Sequence, residues 1–342
     1  MSTRQCLSVK WIVAAAATVA CGSPSPPIGP TSDPPANVPS ISAGTVVSLR
    51  SGETDQPVAD ATISLSGQSQ TGTFSTVYTT SAAGQFTLDR TVVLSSTPLL
   101  EATAPGFLVR TTTLRSDETT MSMWPASSPT GLDEAFSSTI VYSVSACPAV
   151  NTGRSLLTKI PSSTATVHVA FDSTLQDAAA EAAHRQAIDR LNAALGGSPQ
   201  YQLIGAVDER TSFIAGINPN HSTCTAGPEP LRAATVLNLT GRSIDGGRLI
   251  YCSLDAARSA GLVLHELGHS LGLGHSDTTD DVMYCSAGRP VSFSAREKLV
   301  VKLMGQRRAG TRWPDNDRQA AGPLMFRTAA TEVIACGDAR VP

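Results

Sequence analysis

The spacing of apolar residues changes character several times along this chain. Residues 11–20 form an almost unbroken apolar run, with Arg4 and Lys10 ahead of it and small residues leading up to Cys21. Ten residues are too few to cross a bilayer, and no polar face accompanies the run as it would in a packed helix. The pattern predicts an export signal over residues 1–21. Residues 22–40, GSPSPPIGPTSDPPANVPS, have no period; their prolines forbid ladders and favour an extended tether. From 41 to 123 the period becomes two. Ala61, Ile63 and Leu65 alternate with Thr62, Ser64 and Ser66, Phe86 and Leu88 repeat the pattern, and SGETDQP, SAAG and APG punctuate it as turns. This spacing predicts a small β-sandwich.

Over residues 126–342 strand and helix signals mix, which predicts an α+β domain. TATVHVAF (164–171) alternates like a strand. The Ala-rich stretch after it reads as one long helix capped by Asp172 or Ser173 and ended by Gly196, with Ile188, Leu191 and Leu195 facing inward. YQLIGAV (201–207), ATVLNLT (234–240) and GRLIYCS (247–253) are short strand candidates. A second helix is expected from Asp255 through Leu271, and a last one over 293–307 opens on the capping box Ser294-x-x-Glu297. ATVLNLT is the candidate edge strand along which an extended peptide would lie.

The second of these helices carries HELGHSLGLGH, residues 265–275. Residues four apart share a helix face, so His265 and His269 can converge on one ion. Glu266, one step round the helix, is placed to reach a water on that ion and to act as a general base. Gly272 tolerates the positive φ that turns the chain back, which lets His275 complete three nitrogens. Zinc with three protein ligands keeps a fourth position open, and water there becomes acidic near neutrality. The alternative, three histidines satisfied within a packed helix end, would bury imidazoles and a carboxylate together at a considerable desolvation penalty.

HELGHSLGLGH followed by DVMY resembles the signature of metzincin zinc endopeptidases, H-E-x-x-H-x-x-G-x-x-H with a Met-turn, and Ser276 together with the short interval to Met283 looks most like the matrixin branch. The resemblance covers roughly residues 137–305. It implies an α+β metzincin-like catalytic domain, a twisted mixed sheet with long helices, and hydrolysis of peptide bonds. His265, His269 and His275 would hold Zn²⁺, Glu266 would be the catalytic acid/base, Met283 the apolar floor beneath the metal, and Tyr284 a wall of the primary specificity pocket. The chain departs from that pattern at Cys285, where matrixins usually have proline, and it lacks their PRCGxPD cysteine switch. It also lacks the paired aspartates that receive a freed N-terminus. No calcium site or second zinc set is legible, and His168, His184 and His221 are expected to be solvated. Residues 41–123 resemble a carboxypeptidase regulatory-like sandwich, an accessory module without a catalytic set. TVACG resembles a bacterial lipoprotein signal, which implies acylation of Cys21 and anchoring at the cell envelope; ordinary cleavage and secretion is the other reading.

Composition narrows the partners. Of 342 residues, 15% are charged and the net charge is −3, with Lys and Arg scattered, so nothing suggests nucleic acid. A peptide or protein substrate is expected, a membrane only through the lipid anchor, and a monomeric chain. In an oxidising compartment Cys147, Cys224, Cys252, Cys285 and Cys336 suggest two bridges, Cys224 with Cys252 first. The alternative function is a surface-anchored binding or adhesion lipoprotein whose metzincin domain is an inactive scaffold. The retained Glu266 argues against it, since a structural zinc needs no base.

Overall fold

The computed structural model describes residues 38–142, 156–225, 231–285, 290–318 and 329–337. The expected export signal, Cys21 and most of the tether lie outside these residues, as does Cys147. The chain from Val38 onward forms one compact unit with two hydrophobic cores.

The first core is enclosed by nine strands: β1 (Ser40–Ile41), β2 (Val46–Ser51), β3 (Thr62–Ser69), β4 (Gly72–Thr79), β5 (Gln85–Thr87), β6 (Val92–Val93), β7 (Leu99–Thr103), β8 (Arg110–Thr113) and β9 (Thr120–Met123). Strands β1, β6, β3, β7 and β8 follow one another in one sheet with β4 paired to β3, and β5, β2 and β9 make another. The two-residue period does what the sequence leads one to expect: Ile63 and Leu65 are buried while Thr62 and Ser64 are exposed, and they meet Leu49, Phe86 and Met121 of the smaller sheet in one cluster. Burying such side chains contributes about 1.5–3 kcal/mol each.

The second core supports the motif. Its sheet runs β11 (Gln200–Ile204), β10 (Thr166–Phe171), β12 (Thr211–Ile217), β14 (Ser243–Tyr251), β13 (Leu231–Thr240) and β15 (Ala329–Gly337). The first four are mutually parallel, and β13 runs antiparallel to both of its neighbours. Among the described residues six helices accompany it: α1 (Glu134–Tyr142), α2 (Ala178–Leu195), α3 (Ser222–Thr225), α4 (Leu254–Ala257), α5 (Ala260–Ser270) and α6 (Ala295–Gly305). Helix α2 is the crossover between the parallel strands β10 and β11 and packs on α5.

Several expectations need correction. Helix α2 begins at Ala178, not after Asp172: Asp177 is its N-cap and accepts from the amide of Ala180, whereas Asp172 accepts from Thr174 N at 2.8 Å and pairs with Arg248 at 3.0 Å. Its end is as expected, with Gly196 left-handed at φ 64°. The helix expected over 255–271 is two, because Ser253 and Ser259 each cap a separate start. Strand β12 was not anticipated; it lies between two parallel neighbours, so its sequence TSFIAGI shows no alternation. Residues 234–240 are not a sheet edge, since β15 pairs along β13 from Leu231 to Thr240.

His184 is likewise not solvated. It shares the inward face of α2 with Ala180, Ala187, Ile188 and Leu191, its Nδ1 donates to Ala180 O at 2.8 Å, and the Tyr251 hydroxyl donates to its Nε2 at 3.0 Å. Burial pushes its pKa down from 6.5 to about 4. The folded chain therefore binds fewer protons here than the unfolded chain between those values, and stability contributed by neutral His184 is lost as pH falls from about 6.5 to about 4. The expected size is on the order of 3 kcal/mol. Urea unfolding at pH 7 and pH 4.5 should show this loss in the wild type and a shallower one in His184→Gln; equal losses in the two proteins would contradict the assignment.

The two cores meet through charge. Arg307, just beyond α6, donates to Asp315 Oδ2 at 2.7 Å and to the carbonyl of Ser122 at 2.9 Å, and Arg110 of β8 lies 3.5 Å from Asp315. Arg110, Arg307 and Asp315 are all buried, so the Asp315 carboxylate offsets the loss of water for both guanidiniums, and Asp317, 3.3 Å from Arg110, adds a second negative charge. The β-rich region and the helical region are thus parts of one unit, tied by groups that neither could bury alone.

Candidate metal centre

Helix α5 starts where Ser259 accepts from Leu262 N, and every residue from Gly261 to Ser270 is buried. His265 and His269, four apart, bring their rings to 4.5 Å between centroids and their Nε2 atoms to 3.0 Å. The helix stops at Leu271 because Gly272 takes φ +101°, and a Cβ there would fall 1.9 Å from the carbonyl oxygen of Thr158. Only glycine makes that turn at that distance. The chain then returns, placing the His275 ring 5.3 Å from His265 and 4.8 Å from His269. The three histidines can each offer a nitrogen within 4.8 Å of the others, and all are fully buried.

Their hydrogen bonds decide what these nitrogens can do. His265 Nδ1 donates to Val282 O at 2.6 Å and His269 Nδ1 to Leu273 O at 2.7 Å. A carbonyl only accepts, so each Nδ1 carries a proton, and in the neutral ring Nε2 is then the atom that can bind a metal. Two Nε2 atoms 3.0 Å apart are placed to share one cation. The donor set, neutral imidazole nitrogens oriented by carbonyls, suits zinc.

Glu266 is buried beside them. Thr235 of β13 donates to its Oε2 at 2.6 Å and to its carbonyl at 3.1 Å, so one hydroxyl holds both ends of the residue. Tyr251 lies close enough that the Glu266 charge, after burial, raises the phenol well above its ordinary pKa. Met283 is buried under α5: a Cβ on Gly268 would sit 2.3 Å from the Met283 sulfur, so the glycine between the two helical histidines admits the methionine. Ser276 N donates to Met283 O at 2.8 Å, closing the loop that follows His275. Tyr284, next in the chain, is half-buried.

The capping box of α6 has a second task. Glu297 takes the amide of Ser294 at 2.8 Å, as the sequence implies, and also those of Met283 at 2.8 Å and Val282 at 3.2 Å. Burial, then the neighbouring Asp281 charge, push its pKa up to about 7 against those three donors. Arg296 closes the same loop, pairing with Asp281 at 2.6 Å and Asp277 at 2.7 Å and lying over the Phe136 ring. Cys224 and Cys252 are bridged as expected, and Cys285 is also in a disulfide, its partner's side chain lying outside those described.

The matrixin family model matches residues 243–296. The matrixin match begins in β14, spans α4, α5, the three histidines and the Met283 loop, and ends in the first turn of α6. It supports a zinc metallopeptidase in general, and a mixed sheet with several helices is compatible with a metzincin-like domain. No curated protein matches the chain.

Neither Thr235's hold on Glu266 nor Glu297's hold on the Met283 loop is legible in the sequence. Thr235 had a faint signal: it shares with Leu237 and Leu239 the buried face of β13, and a hydroxyl on an apolar face needs a partner. Glu297 had none beyond its cap, because the loop it holds meets α6 only in three dimensions.

Proposed function

We propose that this chain is a zinc-dependent endopeptidase in which His265, His269 and His275 hold the metal and Glu266 is the general base. The observation that carries the reading is the pair of carbonyl-oriented imidazoles whose Nε2 atoms face each other at 3.0 Å, completed by His275 and flanked by a buried carboxylate. Zinc held there would supply Lewis acidity that polarises a peptide carbonyl and makes water acidic enough to lose a proton near neutrality. Glu266 takes that proton and returns it to the leaving amine, and Thr235 keeps its carboxylate aimed while it does so. Met283 closes the floor with an apolar, polarisable side chain, and Glu297 fixes the backbone that presents it. Tyr284 lines the pocket that receives the substrate side chain beyond the scissile bond.

Incubating the full chain with casein tests this reading. Cleavage is expected with zinc present, loss of cleavage with a chelator, and recovery when zinc is returned. The full chain is the form to assay, since Arg307 donates to Ser122 and Asp315 pairs with Arg110. Cleavage that persists unchanged after the metal has been stripped would contradict the proposal.

A further inference from the structure

Where the C-terminal ends of α2, α5 and α6 meet lies a cavity of about 300 Å³ that none of the metal-centre residues lines. Its walls are the apolar side chains of Ile160, Leu195, Leu271, Val301 and Met304, and the exposed Ser162 and Lys302 stand at its rim. Among the described residues no aspartate or glutamate lines it. It lies against the turn that brings His275 back to His265: Leu271 is the C-cap of α5, and a Cβ on Gly272 would stand 3.4 Å from the Lys159 Cα.

One wall of this apolar cavity is charged. Lys159 is 7% exposed, and its Nζ donates to the carbonyls of Arg307 at 2.9 Å, Met304 at 3.0 Å and Gly305 at 3.4 Å and to the Ser162 hydroxyl at 3.1 Å. Every one of these acceptors is a neutral oxygen. The C-terminus of α6 offers about half a compensating charge, and no carboxylate among the described residues pairs with the ammonium. Burial, then the Arg307 charge, holds its pKa down at about 8, so it is still a cation at pH 7. A buried cation ordinarily has an anion beside it. This one has instead an open cavity, one hydrogen bond away through Ser162. We propose that the cavity binds an amphipathic monocarboxylate, with its alkyl chain among Leu195, Leu271, Val301 and Met304 and its carboxylate at Lys159. The apolar walls offer no partner to an amide, which favours an alkyl chain over the end of a peptide, and the volume, at the small end for ligand sites, suits a chain of medium length. The proposal does not rest on the peptidase reading.

Titration calorimetry of the full chain at pH 7 tests it, with octanoate, 1-octanol and N-acetyl-leucine as probes. Octanoate should saturate one site per chain, and 1-octanol, with the same chain and no charge, should bind at least about tenfold more weakly. N-acetyl-leucine should also bind more weakly than octanoate; tighter binding would overturn the alkyl chain as occupant. Lys159→Met keeps the stem and removes the charge. Because the α6 carbonyls then lose a donor, Leu195→Trp, which fills the cavity from a half-buried position and leaves the charge in place, is measured beside it, and thermal melting checks that each variant folds. Each folded variant should lose at least about tenfold in octanoate affinity. Absence of saturable octanoate binding by the wild type, equal binding of octanoate and 1-octanol, or wild-type affinity in either folded variant would overturn the proposal. Binding is read without casein, so its failure and a failure of the peptidase reading are separate results.

Discussion

His275→Ala should lose both metal and activity. His275 is the only one of the three imidazoles that lies off the helix, and it is brought back by a turn that only Gly272 permits. Without it, two nitrogens from adjacent turns of α5 remain, and zinc bound by two imidazoles dissociates far more readily than zinc bound by three. Zinc affinity is expected to fall at least about a hundredfold, and casein hydrolysis at limiting zinc should fall with it. Since the ring is buried, the substitution also leaves a cavity. His275→Asn, closer in volume, separates the two effects: it should restore much of the melting temperature and none of the zinc affinity. Tight zinc binding by His275→Ala would place the third ligand elsewhere.

Much of the centre was legible because its residues are close in the chain. Helical periodicity places His265 and His269 on one face, and the turn residue and third histidine follow within six positions, so HELGHSLGLGH contains its own geometry. What could not be read came from distant segments. Asp172 and Asp177 both precede the same alanine-rich stretch; Asp177 caps it while also pairing with Arg258, and Asp172 instead takes Thr174 and Arg248, partners that no local pattern announces. The strand expected to be an edge is internal because its second neighbour arrives from beyond α6, and no pattern within residues 234–240 announces that pairing. His184 departs from expectation for a different reason: its spacing from Ile188 and Leu191 sets it on the inward face of α2, where Ala180 O and the Tyr251 hydroxyl satisfy a polar ring that solvent would otherwise hold.

The role of Glu266 is tested most directly by Glu266→Ala, with zinc content and turnover measured on the same preparation. The carboxylate is held by Thr235, and His265 and His269 have their own carbonyl partners, so the substitution leaves the metal's nitrogens oriented. What it removes is the group that takes the proton from water, a contribution typically of 10²–10⁴ in rate, so a loss of at least about a hundredfold is expected. The account predicts close to one zinc per chain together with that loss in casein hydrolysis. Ordinary turnover by Glu266→Ala with zinc bound would contradict it.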